Sequence, residues 1–278
     1  MSKSIFITVN YCNADITIDL LNNILELRCI ENFTIAVVDN SPDKDDFIKL
    51  EKFKNSLPWP SLLLYKPSGN IGYFGAVYFV LNKFGEEKKE FQHVIISNND
   101  IEIRDKDFLK KLLVLKEDAA VIAPNIISSL TGMHQNPHFL NPISKWQKNQ
   151  YRLLYSNFYL GWFLYHSRRL VRSFKKNNDL KMNIKKQEIF SAHGAFMILE
   201  KKFFQAGGII DHGYFLYGEE ISISAQCRGM KLKIIYCPEL IVFHNEHTTT
   251  KGHGFKRNIY ELQQRAYKYI KNKYSDIY

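Results

Sequence analysis

The chain lacks the features that mark a secreted or membrane-spanning protein. Its 278 residues include only four cysteines, none of them in a Cys-x-x-Cys pair, so we predict reduced thiols in a cytosolic protein. No window contains the ~18 consecutive apolar residues that a membrane span requires, and the first residues run directly into a strand pattern. We therefore expect neither secretion nor integral membrane insertion.

The familiar nucleotide-binding fingerprints are also absent. The glycine-containing loop from Pro67 to Gly75 matches neither G-x-G-x-x-G nor a P-loop. It does follow a predicted strand and open a predicted helix, where backbone N–H groups can approach phosphate or ribose. Taken singly, the loop is a weak signal for nucleotide binding.

Acidic residues are scarce in one segment only. Residues 141–186 contain eleven lysines and arginines and a single acid, Asp179, whereas basic and acidic residues balance in the rest of the chain. The formal net charge of +10 thus belongs to this segment and not to the fold as a whole.

The remaining sequence has the composition of a globular protein, with 45% hydrophobic and 24% charged residues. Short apolar runs alternate with helical patterns from residue 4 to residue 124. This alternation predicts a doubly wound, mostly parallel α/β sheet.

The stretch from His93 to Asp100 is the most informative of these runs. Its apolar residues predict a buried parallel strand, and Asn98-Asn99-Asp100 follows at the carboxyl end, where α/β sheets bind ligands. The oxygen atoms of Asn98 and Asp100 suit a hard divalent cation. A polar turn that caps the next segment is the alternative interpretation of the same triplet.

Three further polar positions have both a functional and a structural interpretation. Asp39, at the tip of the second strand, can accept from a ribose hydroxyl or a base N–H, or it can cap a loop. Glu219-Glu220 begins a predicted helix, where carboxylates are stabilised by the dipole and can also act as a general base. His244 ends a predicted strand and suits either a structural role or a metal site shared with Asp100.

Within the basic segment, aromatic residues from Tyr151 to Tyr165 recur every three or four positions and predict one continuous helix. A helix in a membrane interface, with Arg168, Arg169 and Arg172 on anionic lipid, fits this pattern. An amphipathic helix packed on the core fits it as well. Nucleic-acid binding lacks any recognisable module.

Eight short motifs occur in an order that resembles the inverting glycosyltransferases of family 2, and among them the rhamnosyltransferase-like branch that builds bacterial surface polysaccharides. The motifs are Val9-Asn10-Tyr11, Val37-Val38-Asp39-Asn40-Ser41, Asn70-x-Gly72-Tyr73-x-Gly75, Asn98-Asn99-Asp100, Gly194-Ala195-Phe196-Met197, Gly207-Gly208, Phe215-Leu216-Tyr217-Gly218-Glu219-Glu220 and Val242-Phe243-His244. Each is short, but so many in this order are hard to obtain by chance. The resemblance runs from Ile5 to about His247.

The resemblance implies a GT-A fold, in which a Rossmann-like, mostly parallel sheet flanked by helices continues into an acceptor-binding half. The implied organisation is a nucleotide-sugar-binding half over residues 1–124, an acceptor-binding and catalytic half over 125–254, and a helical tail over 255–278.

The resemblance also implies roles for single residues. The expected donor contacts are Val9, Tyr11, Asp39, Asn70, Gly72, Asn98, Gly194 and Phe196. Asp100 and His244 are the expected ligands of Mn²⁺ or Mg²⁺ on the donor diphosphate, with Asn98 replacing the first acid of the D-x-D motif. The family usually has Glu-Asp where this chain has Glu219-Glu220. Because glutamate is one methylene longer than aspartate, either acid is a candidate for the catalytic base.

The implied reaction is inverting transfer from a dTDP- or UDP-linked sugar, such as rhamnose or a hexose, to a polyprenyl-diphosphate-linked glycan of O-antigen or capsule synthesis. We then expect a cytoplasmic protein with no nucleic-acid partner, whose basic segment docks on the inner face of the cell membrane. One alternative is a nucleotidyltransferase, but residues 10–15 lack its glycine-rich basic loop. The other is a basic, non-catalytic protein on a degenerate transferase fold that binds membrane or nucleic acid, which gives Asp100 and Glu219 no role.

Overall fold

The computed structural model describes residues 4–57, 62–174, 185–246 and 256–275, and in residues 168–174 it describes the backbone alone. Within these ranges, nine strands form one mixed sheet with helices packed on both faces. The strands are β1 (Ser4–Asn10), β2 (Phe33–Asp39), β3 (Leu62–Tyr65), β4 (His93–Asn98), β5 (Ile101–Glu102), β6 (Val121–Ser128), β7 (Gln187–Ile189), β8 (Phe196–Glu200) and β9 (Ile234–His244).

The helices alternate with these strands in the first half and cluster in the second. They are α1 (Ala14–Leu25), α2 (Asp45–Ser56), α3 (Tyr73–Lys83), α4 (Phe108–Val114), α5 (Lys145–Leu154), α6 (Phe158–Phe174), α7 (Lys201–Gln205), α8 (Glu219–Gly229) and α9 (Arg257–Lys273). No described helix is both long enough and apolar enough to cross a bilayer.

The sheet confirms the predicted mostly parallel α/β architecture. Its order is β3-β2-β1-β4-β8-β6-β9-β5, and β7 also pairs with β9. The first four strands are parallel to one another, and β6 is parallel to β9. Strand β8 runs antiparallel between β4 and β6, so one sheet joins the two halves of the chain.

Two hydrophobic clusters cover the two faces of the sheet. Along β1, Ile5 and Ile7 belong to the cluster under α3, whereas Phe6 points into the cluster under α1 and α4. Because both faces are covered, the central strands are buried along almost their whole length and consist mainly of apolar residues. Strand register sets Asn10 opposite Asp39, and Val9 opposite Asn98. The polar ends of β1, β2 and β4 therefore lie at one edge.

The predicted continuous helix through Tyr151 and Tyr165 is wrong, because α5 and α6 are separate. Ser156 donates from Oγ to the Leu153 carbonyl (2.8 Å) and ends α5. Asn157 accepts from the Leu160 amide (2.9 Å) and begins α6. Two local side-chain bonds thus override the helical spacing of the aromatic residues. The side chains of Arg168, Arg169 and Arg172 lie outside the described residues.

Candidate functional site

The carboxyl ends of β1, β2 and β4 border an open cavity of about 470 Å³. Its opposite wall consists of Phe215 to Tyr217 and the first turn of α8. This edge is the part of an open α/β sheet that binds ligands. The predicted site residues that line the cavity are Val9, Tyr11, Asn70, Gly72, Asn98, Asp100, Gly194, Glu219 and Glu220.

Asp39 lies beside this cavity, but its side chain is fully buried in a hydrogen-bond cluster. Oδ1 accepts from the Asn10 side chain (2.8 Å) and the Ser41 amide (3.0 Å), and Oδ2 pairs with Lys66 Nζ (2.7 Å). Burial acts to raise the pKa of Asp39, but the bonds from Lys66, Ser41 and Asn10 outweigh it and lower that pKa. The carboxylate fixes the loop after β2, and Asn40 from this loop lines the cavity. A direct contact from Asp39 to a nucleoside stays a prediction.

The glycine-containing loop before α3 forms another wall. Gly72 has φ 76° and ψ 178°, a conformation that is essentially restricted to glycine. A Cβ atom at this position would lie 2.2 Å from the Phe215 carbonyl oxygen. The Asn70 side chain accepts from the Gly72 amide (3.0 Å), and Asn40 donates to the Gly72 carbonyl (3.1 Å). The loop is thus held against the Phe215 segment on one side and the β2 end on the other.

Strand pairing brings Asp100 and His244 together. Asp100 lies in the turn between β4 and β5, and Ile101 pairs with His244 at the end of β9. His244 Nε2 lies 3.2 Å from Asp100 Oδ1, and the two side chains are 11% and 13% exposed. Residues 144 positions apart thus form the pair that the sequence suggested for a metal site.

The two ring nitrogens of His244 have different partners, Gln135 at Nδ1 and Asp100 at Nε2. Gln135 donates from Nε2 to Glu246 (2.8 Å), so its Oε1 accepts from His244 Nδ1 (2.8 Å). With Nδ1 donating to Gln135, Nε2 is the nitrogen that remains to bind a cation on the side that faces the Asp100 carboxylate. An imidazole nitrogen and a carboxylate oxygen facing one point fit a divalent cation such as Mn²⁺.

In the described part of the chain, no group of three or more His, Cys, Asp or Glu side chains converges to hold a metal. A cation on Asp100 and His244 would therefore take most of its ligands from water and from a bound molecule. Magnesium and similar ions are held in this way by one or two carboxylates and the phosphates of a substrate. The predicted metal ligands fit that type of site.

The two acids at the start of α8 differ in environment. Glu219 is 6% exposed, and its Oε2 accepts from the Gly218 amide (2.7 Å). Burial, followed by the adjacent charge of Glu220, raises the pKa of Glu219 to about 7. Glu220 is less buried, and its Oε1 accepts from the Gly194 amide (3.0 Å). Glu220 is thereby fixed on the cavity wall beside the predicted sugar-binding loop.

Tyr73 is a cavity residue for which we predicted no role. Its hydroxyl donates to the Gly194 carbonyl (3.3 Å). Burial raises its pKa well above the ordinary value, and the charges of Glu219, Asp100 and Glu220 add to the rise. Tyr73 therefore lies within electrostatic range of the carboxylates at both ends of the cavity.

His193 is another cavity residue without a predicted role, although it directly precedes the Gly194 motif. Its amide donates to the Asn136 side chain (2.7 Å), and its Nδ1 accepts from the Ala195 amide (3.1 Å). Burial lowers the pKa of His193, and Glu220 opposes that effect. A neutral His193 with its proton on Nε2 can donate a hydrogen bond to a ligand.

Phe196 is the predicted donor contact that the structure places elsewhere. It begins β8, where alternation turns Ala195 to the cavity and Phe196 to the core. The ring is fully buried and packs edge-on against Phe6 (6.1 Å) and Phe108 (5.9 Å). Its side chain supports the cavity wall from behind.

No protein-family model and no curated protein sequence matches this chain. Solved structures do. It is similar to the mannosyltransferase PcManGT from Pyrobaculum calidifontis in complex with GDP-Man and Mn²⁺, at 14% identity and a TM-score of 0.56, over 90% of this chain and 58% of that one. It is similar to GalNAc-T7 with UDP, GalNAc and Mn²⁺, at 15% identity and a TM-score of 0.61, over 98% and 50%.

A third similar structure is TarS from S. aureus, at 14% identity and a TM-score of 0.52, over 87% of this chain and 60% of that one. The chain spans between half and three-fifths of the length of these three structures. All three are of the GT-A type, so the likeness establishes the predicted GT-A fold.

Proposed function

We propose that the protein is a metal-dependent, inverting glycosyltransferase of the rhamnosyltransferase-like type. It would move a dTDP- or UDP-linked sugar, such as rhamnose or a hexose, to a hydroxyl of a lipid-linked oligosaccharide in O-antigen, capsule or related polysaccharide synthesis. The observation that carries the proposal is that Asp100, which contacts His244, lines one cavity of a GT-A fold together with Glu219 and Glu220. Mn²⁺ and nucleotides or nucleotide sugars in two similar structures support the same chemistry.

In this proposal, the cavity at the strand ends is the donor cavity. The nucleoside lies against Val9 and Tyr11, whose ring is 47% exposed and free to pack on a base. Asn40 and Asn70 supply polar contacts, while Asp39 holds the loop that carries Asn40. The diphosphate lies toward Asp100, because Asp100 and His244, the proposed ligands of the cation, are at that end of the cavity.

A divalent cation held by Asp100 and His244 would neutralise the charge that develops on the diphosphate as it leaves. His193, beside this pair, donates from Nε2 to a phosphate or sugar oxygen.

Glu220 is the proposed base. Its carboxylate accepts the proton of an acceptor hydroxyl as that oxygen bonds to the anomeric carbon, and the bond from this carbon to the diphosphate breaks on the opposite face. A single displacement with one base and no covalent intermediate inverts the anomeric configuration. The Gly194 amide holds Glu220 at the cavity wall during this step.

The acceptor half contributes an exposed aromatic surface on α6. Tyr159 is 74% exposed, Trp162 is 48% exposed and Phe163 is 61% exposed. Together with Arg168, Arg169 and Arg172 later in the basic segment, these rings suit the interface of an anionic membrane. Peripheral binding at the cytoplasmic leaflet would present the enzyme to a polyprenyl-linked acceptor.

Calorimetric titration of UDP, dTDP, GDP and CMP, each with and without Mn²⁺, tests the donor site. We expect one nucleotide to bind in a metal-dependent manner, and Asp100→Ala to weaken that binding about tenfold or more, because a cation ligand is lost. Asp19→Ala, which removes an exposed acid of α1, is the matched control and should bind as the wild type does.

Glu220→Gln separates binding from chemistry, because it should keep nucleotide affinity while losing sugar transfer. If no nucleotide binds to the folded protein, the active-transferase proposal is wrong.

A further inference from the structure

A second cavity, of about 260 Å³, meets the donor cavity at the acid pair, since Tyr217, Glu219 and Glu220 line both. Tyr217 has φ 71°, a strained conformation for a residue with a side chain. The walls beyond the acids carry aromatic rings from α5, α9 and the loop before α5. They include His138, Phe139, Tyr151, Tyr155 and Tyr267. We call this space the aromatic cavity.

A third cavity, of about 290 Å³, lies between α5 and α9. Four of the six residues that line it are cations: Lys145, Lys148, Arg152 and Lys271. The other two, Asn149 and Tyr267, are uncharged, so no carboxylate lines this space. We call it the cationic cavity.

Among the described residues, the cations of this cavity lack the acidic partners that some other cations have. Lys66 is paired with Asp39, and Lys186 lies 2.7 Å from both Glu117 and Glu239. Among the described residues, neither Arg152 nor any of the three cavity lysines forms an ion pair. Four like charges around one concave space repel one another, and a bound anion removes that cost.

Tyr267 connects the two cavities. Its ring lies 5.0 Å from that of Tyr155 in the aromatic cavity, and Lys271 lies 6.0 Å from its centroid. Burial raises the pKa of Tyr267 and the charge of Arg152 opposes this, as expected for a guanidinium near the phenol. From the strand ends toward the space between α5 and α9, the order is therefore the donor cavity, the Glu219–Glu220 pair, the aromatic cavity and the cationic cavity.

We propose that the cationic cavity binds the phosphate or diphosphate group of the acceptor, while the acceptor sugar occupies the aromatic cavity with its reacting hydroxyl at Glu220. Arg and Lys are the side chains that bind phosphate oxygens through charge-assisted bonds. Aromatic walls with a few polar groups suit the C–H and hydroxyl surfaces of a sugar ring. The assignment of the anion to an acceptor rests on the proposed transferase function.

Inorganic diphosphate is the probe for this site. In calorimetric titrations with EDTA present, so that no metal can recruit diphosphate to Asp100, the wild-type protein should bind it. The double variant Arg152→Gln/Lys271→Gln removes one cation from each helix and should weaken binding about tenfold or more. The matched control Arg265→Gln/Lys268→Gln removes two charges of α9 that line neither cavity, and it should bind as the wild type does.

The proposal that the cationic cavity is the binding site would be wrong if the wild type and the cavity variant bound diphosphate with equal affinity. It would also be wrong if the cavity variant and the control variant were weakened equally. Vesicles of phosphatidylglycerol distinguish an acceptor phosphate from a lipid headgroup. The cavity variant should bind them as well as the control does, and loss of vesicle binding with diphosphate binding retained would overturn the assignment. Asp100→Ala should leave diphosphate binding in EDTA unchanged, so failure of the donor site and failure of this site give different results.

Discussion

Glu219 and Glu220 are neighbours in sequence, and only the first is buried. Glu219 is buried in the first turn of α8 and accepts a hydrogen bond from the amide of Gly218, the N-cap of that helix. Glu220 instead accepts from the Gly194 amide at the cavity surface. Two carboxylates so close resist double ionisation, and the more buried one binds its proton more tightly. This asymmetry supports Glu220, which faces the cavity, as the base.

The raised pKa of Glu219 makes a prediction about stability. A carboxyl with a folded pKa of about 7, above its unfolded value near 4.3, favours folding below the unfolded pKa. That contribution is lost as pH rises through 7. Glu219→Gln should therefore raise the free energy of unfolding at pH 8 by about 1–3 kcal/mol relative to the wild type. Urea denaturation at pH 8 and pH 5 measures the difference.

At pH 5 the two proteins should differ much less, because Glu219 is then protonated. Glu51→Gln, which changes an exposed acid of α2, should show no such pH dependence. A variant that is less stable than the wild type at pH 8 would contradict the burial argument.

Gly72 makes a prediction about both backbone and site. Gly72→Ala would place a methyl group 2.2 Å from the Phe215 carbonyl oxygen, in a backbone region that only glycine adopts freely. We expect a loss of about 1–3 kcal/mol in unfolding free energy and weaker nucleotide binding, since the cavity wall must move. Thermal denaturation and nucleotide titration measure the two effects.

Gly69→Ala is the matched control in the same loop, because a Cβ atom there would meet nothing within 4 Å. Equal effects of the two substitutions would show that the contact with Phe215 is not responsible.

At the scale of elements, the sequence predicts the strands and helices whose buried residues form a regular apolar pattern. Strand β1 runs from Ser4 to Asn10 and is recognisable in the sequence, because a parallel strand covered on both faces is a mainly apolar run. Helix α2 has only Leu50 fully buried, so its apolar pattern is too sparse to reveal it. Strand β9 continues past Pro238-Glu239 through a register shift opposite Pro124 and Asn125, which local sequence does not reveal because proline is uncommon inside a strand.

Site residues likewise fall into two groups, those whose positions follow from the local sequence and those that depend on distant residues. Residues at strand ends, such as Asn98 and Asp100, were predictable because the carboxyl edge of the sheet is fixed by topology. The orientation of His244 was not predictable, since it depends on Gln135, 109 residues earlier in the chain. Its motif made Phe196 an expected donor contact, and only the alternation along strand β8 shows that its side chain faces the core.

Helix α9 is anchored to the segment that forms one wall of the donor cavity. Asp211, which is buried, accepts from the hydroxyls of Tyr269 (2.8 Å) and Tyr274 (2.7 Å) and pairs with Lys273 (3.1 Å). Burial acts to raise the pKa of Asp211, but the bonds from Tyr274, Tyr269 and Lys273 outweigh it, so the pKa is lowered. The ionised carboxylate thus holds the last helix next to Gly213, where a Cβ atom would collide with Tyr269.

Asp211→Asn tests this anchor. Because the folded pKa is lowered, the carboxylate stabilises the fold above its unfolded pKa of about 3.9, and this stabilisation is lost as pH falls through the folded pKa. We expect the variant to lose about 1–3 kcal/mol of unfolding free energy at pH 7 and less at pH 3. Urea denaturation at both values measures it. Asp19→Asn, on the exposed face of α1, should change little at either pH.

At the scale of the whole molecule, the basic segment serves more than one purpose. Lys186 is neutralised by Glu117 and Glu239, so it ties β7 to the core. Lys145, Lys148 and Arg152 line the cationic cavity. The exposed rings of α6 lie on the helix that follows, whose sequence also contains Arg168, Arg169 and Arg172, so this helix combines charge with apolar surface.

This arrangement predicts vesicle binding with two separable contributions. Trp162→Ser/Phe163→Ser should weaken binding to phosphatidylglycerol vesicles about tenfold, because apolar area no longer leaves water. Raising the salt concentration should weaken binding of the wild type further, since attraction between lysines or arginines and anionic lipid is screened. Co-sedimentation with vesicles at low and high salt measures both.

The control Ile48→Ser/Val114→Ser removes two other exposed apolar side chains, from α2 and α4, and it should bind vesicles as the wild type does. Neutralising Arg168, Arg169 and Arg172 should lower vesicle affinity and its salt dependence together, because each basic residue near the surface contributes about 1 kcal/mol. Retained binding in that triple variant would contradict docking through the basic segment. The rings of α6 would then need another partner, because exposed aromatic surface of this extent is uncommon on a helix that faces only water.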